Sequence, residues 1–255
     1  MPIFQPDNIK IDFDVILNQE CDIIITAAYG QIVPDIVLNH PKYKAINVHA
    51  SLLPKYRGGA PIQKALLNGD KETGISIIYM TSKMDAGDII MQKSLIIEES
   101  DYQDDLFDKL GILGASMINK CLEEIEKNLI KPVIQDEAKV TYAPNIKKED
   151  EKIDFNKTAF KIKCQVRALN PNPGCYFEID DKKIKVHKVN VIDSKVEGKV
   201  GQIINVGKDS FSIICGDKSL LEILELQLEG KKKMTTRDFL NGVGRNIVFE
   251  NKKIY

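Results

Sequence analysis

The first half of the chain alternates short, continuous apolar runs with segments whose apolar residues recur at helical spacing. Uninterrupted apolar runs of this length are typical of strands that are buried on both faces of a sheet. Three buried-strand candidates are "CDIIITAAYG", "KAINVHA" and "TGISIIYMT", and "DIIMQKSLII" is a further strand or hairpin arm. The helix candidates among them are "VPDIVLNH", with Pro34 near its start, and "APIQKALLNG", which Gly69 closes. This alternation predicts an open α/β sheet.

A long amphipathic segment follows, "SDYQDDLFDKLGILGASMINKCLEEIEKN", and it is the clearest predicted helix. Beyond it the pattern changes, because residues 133–152 are polar and end in a run of charges, which is typical of a linker. Short strand candidates separated by Gly and Asp turns then predict a small β-barrel. We therefore expect a first domain over residues 1–132, a linker over 133–152 and a second domain over 153–255.

Charge is divided unequally between the two halves of this 255-residue chain. Residues 1–150 carry 16 basic and 23 acidic side chains, a net charge of −7, whereas residues 151–255 carry 20 and 14, a net charge of +6. A basic second half is a candidate for contact with a polyanion, although a lysine-rich solvated surface explains the same charge equally well. No apolar run is of membrane-spanning length, and the N-terminus lacks the layout of a signal peptide.

Cysteine usage predicts a reducing compartment. The five cysteines are odd in number and form no CxxC pair, so reduced thiols in the cytoplasm are expected rather than disulfides or a zinc site. They are Cys21, Cys121, Cys164, Cys175 and Cys215. With three histidines in the whole chain, a multi-histidine metal site is not expected either.

The segment "AINVHASLLPKYRGGAPIQ" contains the candidate chemistry. Asn47 and His49 are two positions apart on a predicted strand, so their side chains share a face. Asp85 follows the next strand candidate, and two parallel strands would bring its loop beside them. An Asn amide and a protonated His suit an oxyanion on a tetrahedral carbon, with Asp as the proton partner. A lone His in an apolar strand is nevertheless more often a core residue, and the spacing alone does not name a reaction.

The stretches "INVHASLLPKYRGGAPIQKALLNGDKETGISIIYM" and "MDAGDII" resemble the signature region of the formyltransferases that use 10-formyltetrahydrofolate, above all those that act on methionyl-tRNA. The resemblance implies that Asn47, His49 and Asp85 are catalytic. It also implies that the "SLLP" turn and the "AAYGQIVP" loop contact the folate co-substrate. The implied folate contacts are Ser51, Leu52, Leu53, Pro54, Tyr29, Gly30 and Ile32.

The second half carries the same resemblance, in "ALNPNPGCYFEIDDKKIKVHKV" and "LLEILELQLEGKKKMTTRDFL". These segments are similar to the OB-like domain with which the family contacts tRNA. The implied partner is initiator methionyl-tRNA, bound by a monomeric cytoplasmic protein. The candidate tRNA contacts are Arg57, Arg167, Lys231, Lys232 and Lys233.

The implied reaction is attack of the methionine α-amine on the formyl carbon. Asn47 and protonated His49 would stabilise the oxyanion, and Asp85 would hold His49 charged and help to move the amine proton. Family members carry a strand–helix–strand region and a basic loop ahead of "PIFQP", whereas this chain starts at "MPIFQP". The expected fold is therefore an N-terminally incomplete Rossmann-like formyltransferase domain followed by a small OB-like β-barrel. Two alternatives stay open: an inactive remnant that binds RNA or folate, and a sibling enzyme that formylates an amino sugar or hydrolyses formyl-folate.

Overall fold

The computed structural model describes residues 3–254, and the chain divides into two units. Met1, Pro2 and Tyr255, at the outer ends of the two predicted domains, lie outside the described residues. The first unit comprises the chain up to Ala65, Lys71–Glu99 and Asp105–Asn145, and the second comprises Leu66–Asp70, Ser100–Asp104 and the chain from Ile146 onward. No helix among the described residues is both long enough and apolar enough to cross a membrane.

The first unit contains a four-stranded mixed sheet in the order β1-β2-β3-β4. Its strands are β1 (Ile24–Ala27), β2 (Ala45–His49), β3 (Glu72–Tyr79) and β4 (Ile89–Ile96), as the apolar runs predict. β1 and β2 are parallel, whereas β2–β3 and β3–β4 are antiparallel. The expectation that two parallel strands bring Asp85 to His49 is therefore wrong. An apolar run indicates that a strand is buried, as most of β3 is, but it carries no information about strand direction.

Four α-helices accompany these strands. They are α1 (Asp14–Leu17), α2 (Asp35–Leu38), α3 (Pro61–Asn68) and α4 (Gln103–Glu126). Gly69 follows α3 with a positive φ of 76°, which confirms its predicted role as the helix end. Gly114 lies against β2, since a Cβ there would be 3.1 Å from Val48 Cγ1. Because successive strand residues face opposite ways, Val48 faces α4 while Asn47 and His49 face away from it.

Residues 133–143 return from the end of α4 toward the loop that follows β2, and we call them the return segment. Val133 and Ile89 exchange two backbone hydrogen bonds of 2.8 and 2.9 Å. Farther along, Arg57 N donates to Thr141 O and Ala143 N donates to Arg57 O, which makes a parallel bridge between Arg57 and Tyr142. A single turn of 3-10 helix, Glu137–Lys139, lies between these two attachments.

The second unit is the barrel-like β domain that its short strands predict. All its strand pairs are antiparallel, in the order β5-β6-β9-β8-β7 with β10 on β9. The strands are β5 (Cys175–Ile179), β6 (Lys182–Ile192), β7 (Ile203–Ile204), β8 (Phe211–Ile214), β9 (Leu220–Leu228) and β10 (Met234–Thr235). The helices are α5 (Ala159–Leu169), α6 (Thr236–Asn241) and the 3-10 turns Lys148–Glu151 and Val243–Asn246. Phe177, Phe211 and Phe239 are fully buried in its core.

Candidate active site

The three predicted catalytic side chains lie together beside the carboxyl end of β2. Asp85 Oδ2 is 3.6 Å from His49 Nδ1, and Asn47 Nδ2 donates to Asp85 Oδ1 over 3.4 Å. Asp85 belongs to the β3–β4 loop, residues 80–88, which folds back over β2. Its backbone has a positive φ of 49°, and its Oδ2 also accepts a 2.9 Å hydrogen bond from Gly58 N. The carboxylate therefore faces a histidine, an amide and a backbone N–H at once.

His49 is 6% exposed and has a fixed ring orientation. Its Nε2 is 2.9 Å from the carbonyl oxygen of Tyr56, which can only accept a hydrogen bond, so Nε2 carries a proton. The other ring nitrogen, Nδ1, then faces the Asp85 carboxylate, whose side chain is 15% exposed. A proton on Nδ1 would make the ring an imidazolium paired with a carboxylate. The arrangement can thus hold a positive charge in a nearly dry site.

The Asp85 carboxylate determines which end of the Asn47 amide faces it, and Thr26 holds the other end. Thr26 lies opposite Asn47 in the parallel register of β1 and β2, and its Oγ1 donates to Asn47 Oδ1 over 2.8 Å. The reversed amide would place Oδ1 against the Asp85 carboxylate, where two acceptors would repel each other. Asn47 Nδ2 is therefore the donor at the site. Sequence reasoning did not select Thr26, although it is the one polar residue inside the apolar run "IIITAA".

Polar side chains of β3 and β4 hold the "SLLP" turn by hydrogen bonds. Ser76 Oγ donates to Ser51 O over 2.6 Å and accepts a hydrogen bond from Leu53 N, while Gln92 Nε2 donates to both Ser76 Oγ and Leu53 O. Ser51 is completely buried, and its hydroxyl donates to Lys55 O. The Ser51 hydroxyl therefore stabilises the turn itself. Leu53 is buried as well, whereas Leu52 and Pro54 are half-buried.

The other predicted folate contacts lie in the loop after β1. Tyr29 packs against the small apolar cluster around Ile9, and its hydroxyl donates to Pro6 O over 3.4 Å. Gly30 is exposed with a positive φ of 74°, and the Ile32 side chain is largely exposed. The folate roles of this loop and of the "SLLP" turn stay predictions.

Two of the predicted tRNA contacts, Arg57 and Arg167, are buried. Arg57 is 4% exposed, and its guanidinium donates to Gln135 Oε1 over 3.1 and 2.9 Å and to Glu137 over 2.9 Å. Arg167, in α5, is also buried and donates from Nε to Asp101 O over 2.7 Å. Contact with a phosphate would require either group to give up these bonds. Their role in tRNA binding stays a prediction, and the burial of a basic residue is not visible in a sequence.

The other three candidates, Lys231, Lys232 and Lys233, are called the lysine triplet below. All three are exposed, between β9 and β10. Lys233 Nζ forms a 2.7 Å ion pair with Glu225. The lysine triplet is therefore open to a phosphate backbone, and its role in tRNA binding stays a prediction.

Gln135 and Glu137 of the return segment are site residues that sequence reasoning missed. Gln135 Nε2 donates to Asp85 O over 2.8 Å and to Gly87 O over 2.7 Å. Glu137 pairs with Arg57, and hydrogen bonding to the Arg57 guanidinium lowers the pKa of the Glu137 carboxyl. The polar composition of residues 133–152 indicated a linker, and it contained no signal for these long-range contacts.

Comparisons with known proteins give matches in both units. The family described as "Formyl transferase" matches residues 12–122, and "Formyl transferase, C-terminal domain" matches residues 145–244. A methionyl-tRNA formyltransferase of Staphylococcus epidermidis is 44% identical over 97% of this chain and 80% of its own length. One from Lactobacillus johnsonii is 44% identical over all of this chain and 81% of its own.

Two solved structures share the fold. One is WlaRD, a sugar 3N-formyl transferase determined with dTDP and 5-N-formyl-THF, with a TM-score of 0.67 and 25% identity over 87% of this chain and 78% of that one. The other is HypX from Aquifex aeolicus in complex with tetrahydrofolic acid, with a TM-score of 0.65 and 16% identity over 92% of this chain and 42% of that one.

Proposed function

This chain belongs to the methionyl-tRNA formyltransferase family, and from that premise we propose that it transfers a formyl group from 10-formyltetrahydrofolate to the α-amine of initiator methionyl-tRNA. The observation that carries the proposal is the convergence of Asn47, His49 and Asp85 within 3.4–3.6 Å. The choice of methionyl-tRNA as the substrate rests on identities of 41–44% to curated methionyl-tRNA formyltransferases.

In the proposed reaction the amine nitrogen forms a bond to the formyl carbon, and the bond from that carbon to folate N10 then breaks. The negative charge that develops on the formyl oxygen is stabilised by the Asn47 Nδ2–H group, whose direction the Asp85 carboxylate fixes while Thr26 holds the amide oxygen. His49, held between the Tyr56 carbonyl and the Asp85 carboxylate, contributes positive charge next to it. The proton that the amine loses passes toward Asp85, and N10 of the tetrahydrofolate product gains one.

The lysine triplet supports the tRNA half of the proposal. Exposed lysines on the basic second unit would bind phosphates, which gives affinity and salt dependence but little sequence choice. We propose further that the protein acts as a monomer in the cytoplasm. Light scattering of the purified protein and fractionation of its native cell test these two points.

Transfer of labelled formyl from 10-formyltetrahydrofolate to initiator methionyl-tRNA by the purified chain tests the function directly. We expect multiple turnovers with methionyl-tRNA, none with tRNA whose methionine α-amine is already blocked, and a loss of roughly 10²-fold or more in the His49→Ala variant. An amino-sugar nucleotide serves as the competing acceptor, and faster transfer to it would overturn the tRNA assignment. Folate or tRNA binding without any transfer would instead support an inactive remnant.

A further inference from the structure

Gln135 uses its whole hydrogen-bonding capacity between two parts of the candidate site. It is 5% exposed, and its Nε2 donates to the carbonyl oxygens of Asp85 and Gly87. Its Oε1 accepts two hydrogen bonds from Arg57, one from Nε and one from Nη2. Two donors and two acceptor positions are all that a glutamine amide offers, so the side chain is saturated.

The partners of Gln135 allow only one orientation of its amide. A guanidinium can only donate hydrogen bonds and a carbonyl oxygen can only accept them, so the reversed amide would face four unfavourable contacts. A glutamate at this position would keep the bonds to Arg57 but would place a carboxylate oxygen against two carbonyl oxygens. The site therefore specifies glutamine at residue 135 by hydrogen bonding and not by size alone.

The loop that Gln135 holds has an unfavourable backbone conformation. Asp85 has a left-handed φ of 49°, which residues other than glycine rarely adopt. At Gly87 a Cβ would lie 1.7 Å from Tyr79 O, so the chain passes too close to β3 for any side chain. A conformation of this kind persists when surrounding contacts hold it, and the two hydrogen bonds from Gln135 meet the loop at these two residues.

We propose that Gln135 is a positioning residue, which holds the β3–β4 loop in the conformation that places the Asp85 carboxylate against His49 and Asn47. The return segment thereby acts as a brace for the active site. Arg57 extends the brace, since its backbone pairs with residues 141–143 and its side chain donates two hydrogen bonds to Gln135. This role deepens the proposed function and rests on it.

The test compares Gln135→Met and Gln135→Glu with Gln165→Met as a matched control. Gln165 is also a buried glutamine that donates to two carbonyl oxygens, those of Asp150 and Lys152, but it lies in α5 of the second unit. Two measurements are made on each full-length variant. One is the steady-state kinetics of formyl transfer, and the other is hydrogen–deuterium exchange of the peptide that covers residues 80–88.

Both Gln135 variants are expected to lose roughly 10–100-fold in kcat, because small displacements of a reacting group reduce the rate by such factors. Their KM for methionyl-tRNA should stay within about threefold, and exchange in residues 80–88 should rise. Gln165→Met should leave kcat and this exchange unchanged. Unchanged kcat, or unchanged loop exchange, in either folded Gln135 variant would overturn the proposal. An inactive wild-type chain would refute the proposed function instead, while the exchange measurement would still decide the role of Gln135 in holding the loop.

Discussion

Replacing Asp85 with asparagine removes the negative charge of the side chain and keeps its size and shape. Asparagine has the same size and can direct its oxygen to Gly58 N, so the 2.9 Å hydrogen bond that anchors the side chain can persist. Its amide nitrogen would then replace the oxygen that now accepts from Asn47, so that weak 3.4 Å hydrogen bond is lost and two donors face each other. The negative charge 3.6 Å from His49 Nδ1 disappears as well.

The expected magnitude follows from that distance and the burial of both groups. Two unit charges 3.6 Å apart interact by roughly 4–5 kcal/mol at an effective dielectric constant of 20. The side chains are 6% and 15% exposed, so solvent screens the pair only in part. The amide dipole of asparagine replaces some of the lost interaction. We therefore expect Asp85→Asn to lower kcat by roughly 10²–10³-fold, where each factor of ten corresponds to about 1.4 kcal/mol.

A single-turnover assay with enzyme in excess over labelled formyl donor measures the chemical step without product release. Asp88→Asn is the matched control, since it removes one negative charge from the same loop. The Asp88 side chain has no hydrogen bond or ion pair within the described part of the chain, although its backbone carbonyl accepts from Tyr79 N. Circular dichroism and thermal unfolding check that both variants fold.

Equal slowing of the single turnover by Asp85→Asn and Asp88→Asn would refute an electrostatic role of Asp85. A rate for Asp85→Asn within about threefold of wild type would refute it too, because the charge would then contribute no more than a surface charge does. A loss confined to the KM for the folate would show instead that Asp85 acts in binding rather than in the chemical step.

Four further experiments test other contacts in the structure. Thr26→Val should lower kcat roughly tenfold, whereas Thr26→Ser should retain it, because a hydroxyl is needed to donate to Asn47 Oδ1. Equal kcat values for the two variants would refute this role of Thr26. Replacing the lysine triplet with glutamates should raise the KM for tRNA and make that KM less dependent on salt. Arg57→Met should lower the free energy of unfolding by about 1–3 kcal/mol and leave the salt dependence of the tRNA KM unchanged, because Arg57 is buried. In the native protein a thiol reagent at pH 8 should modify Cys21 first, because Cys21 is partly exposed whereas the other four cysteines are buried. Burial raises the pKa of the Cys121 thiol to about 11 and those of Cys175 and Cys215 to about 12, while partial burial and then Asp22 raise the pKa of Cys21 too. Modification of all five at one rate would contradict this order.

Much of the fold could be predicted because burial leaves a local pattern. Each of the three apolar runs and the segment "DIIMQKSLII" contains a strand of the sheet, and Gly69 ends α3 as its position indicates. In the second half, Thr235 caps α6 by accepting a hydrogen bond from Asp238 N. Strand direction could not be predicted, because the same apolar run satisfies a parallel and an antiparallel partner.

The candidate site was predictable only where its residues are close in the sequence or belong to a recognisable motif. Asn47 and His49 share a face by strand periodicity. Asp85 was a candidate because it follows the next strand run, and the resemblance to a known family implied that it is catalytic. The state of Arg57 could not be predicted, since a basic residue in a glycine-rich loop suggests exposure, whereas in the structure it is buried against Gln135 and Glu137. The polar return segment likewise carries no periodicity that distinguishes a brace from a linker.

The sequence by itself determined which residues form strands and helices, which face of β2 carries the chemistry, and the family to which that chemistry belongs. Only the tertiary structure decided how Asp85 reaches His49 and what holds it there. Asp85 is 38 residues from Asn47 and Gln135 is 50 residues from Asp85, yet each pair is joined by hydrogen bonds. Hydrophobic periodicity reports the environment of each element, whereas contacts over such separations depend on the path of the chain between them.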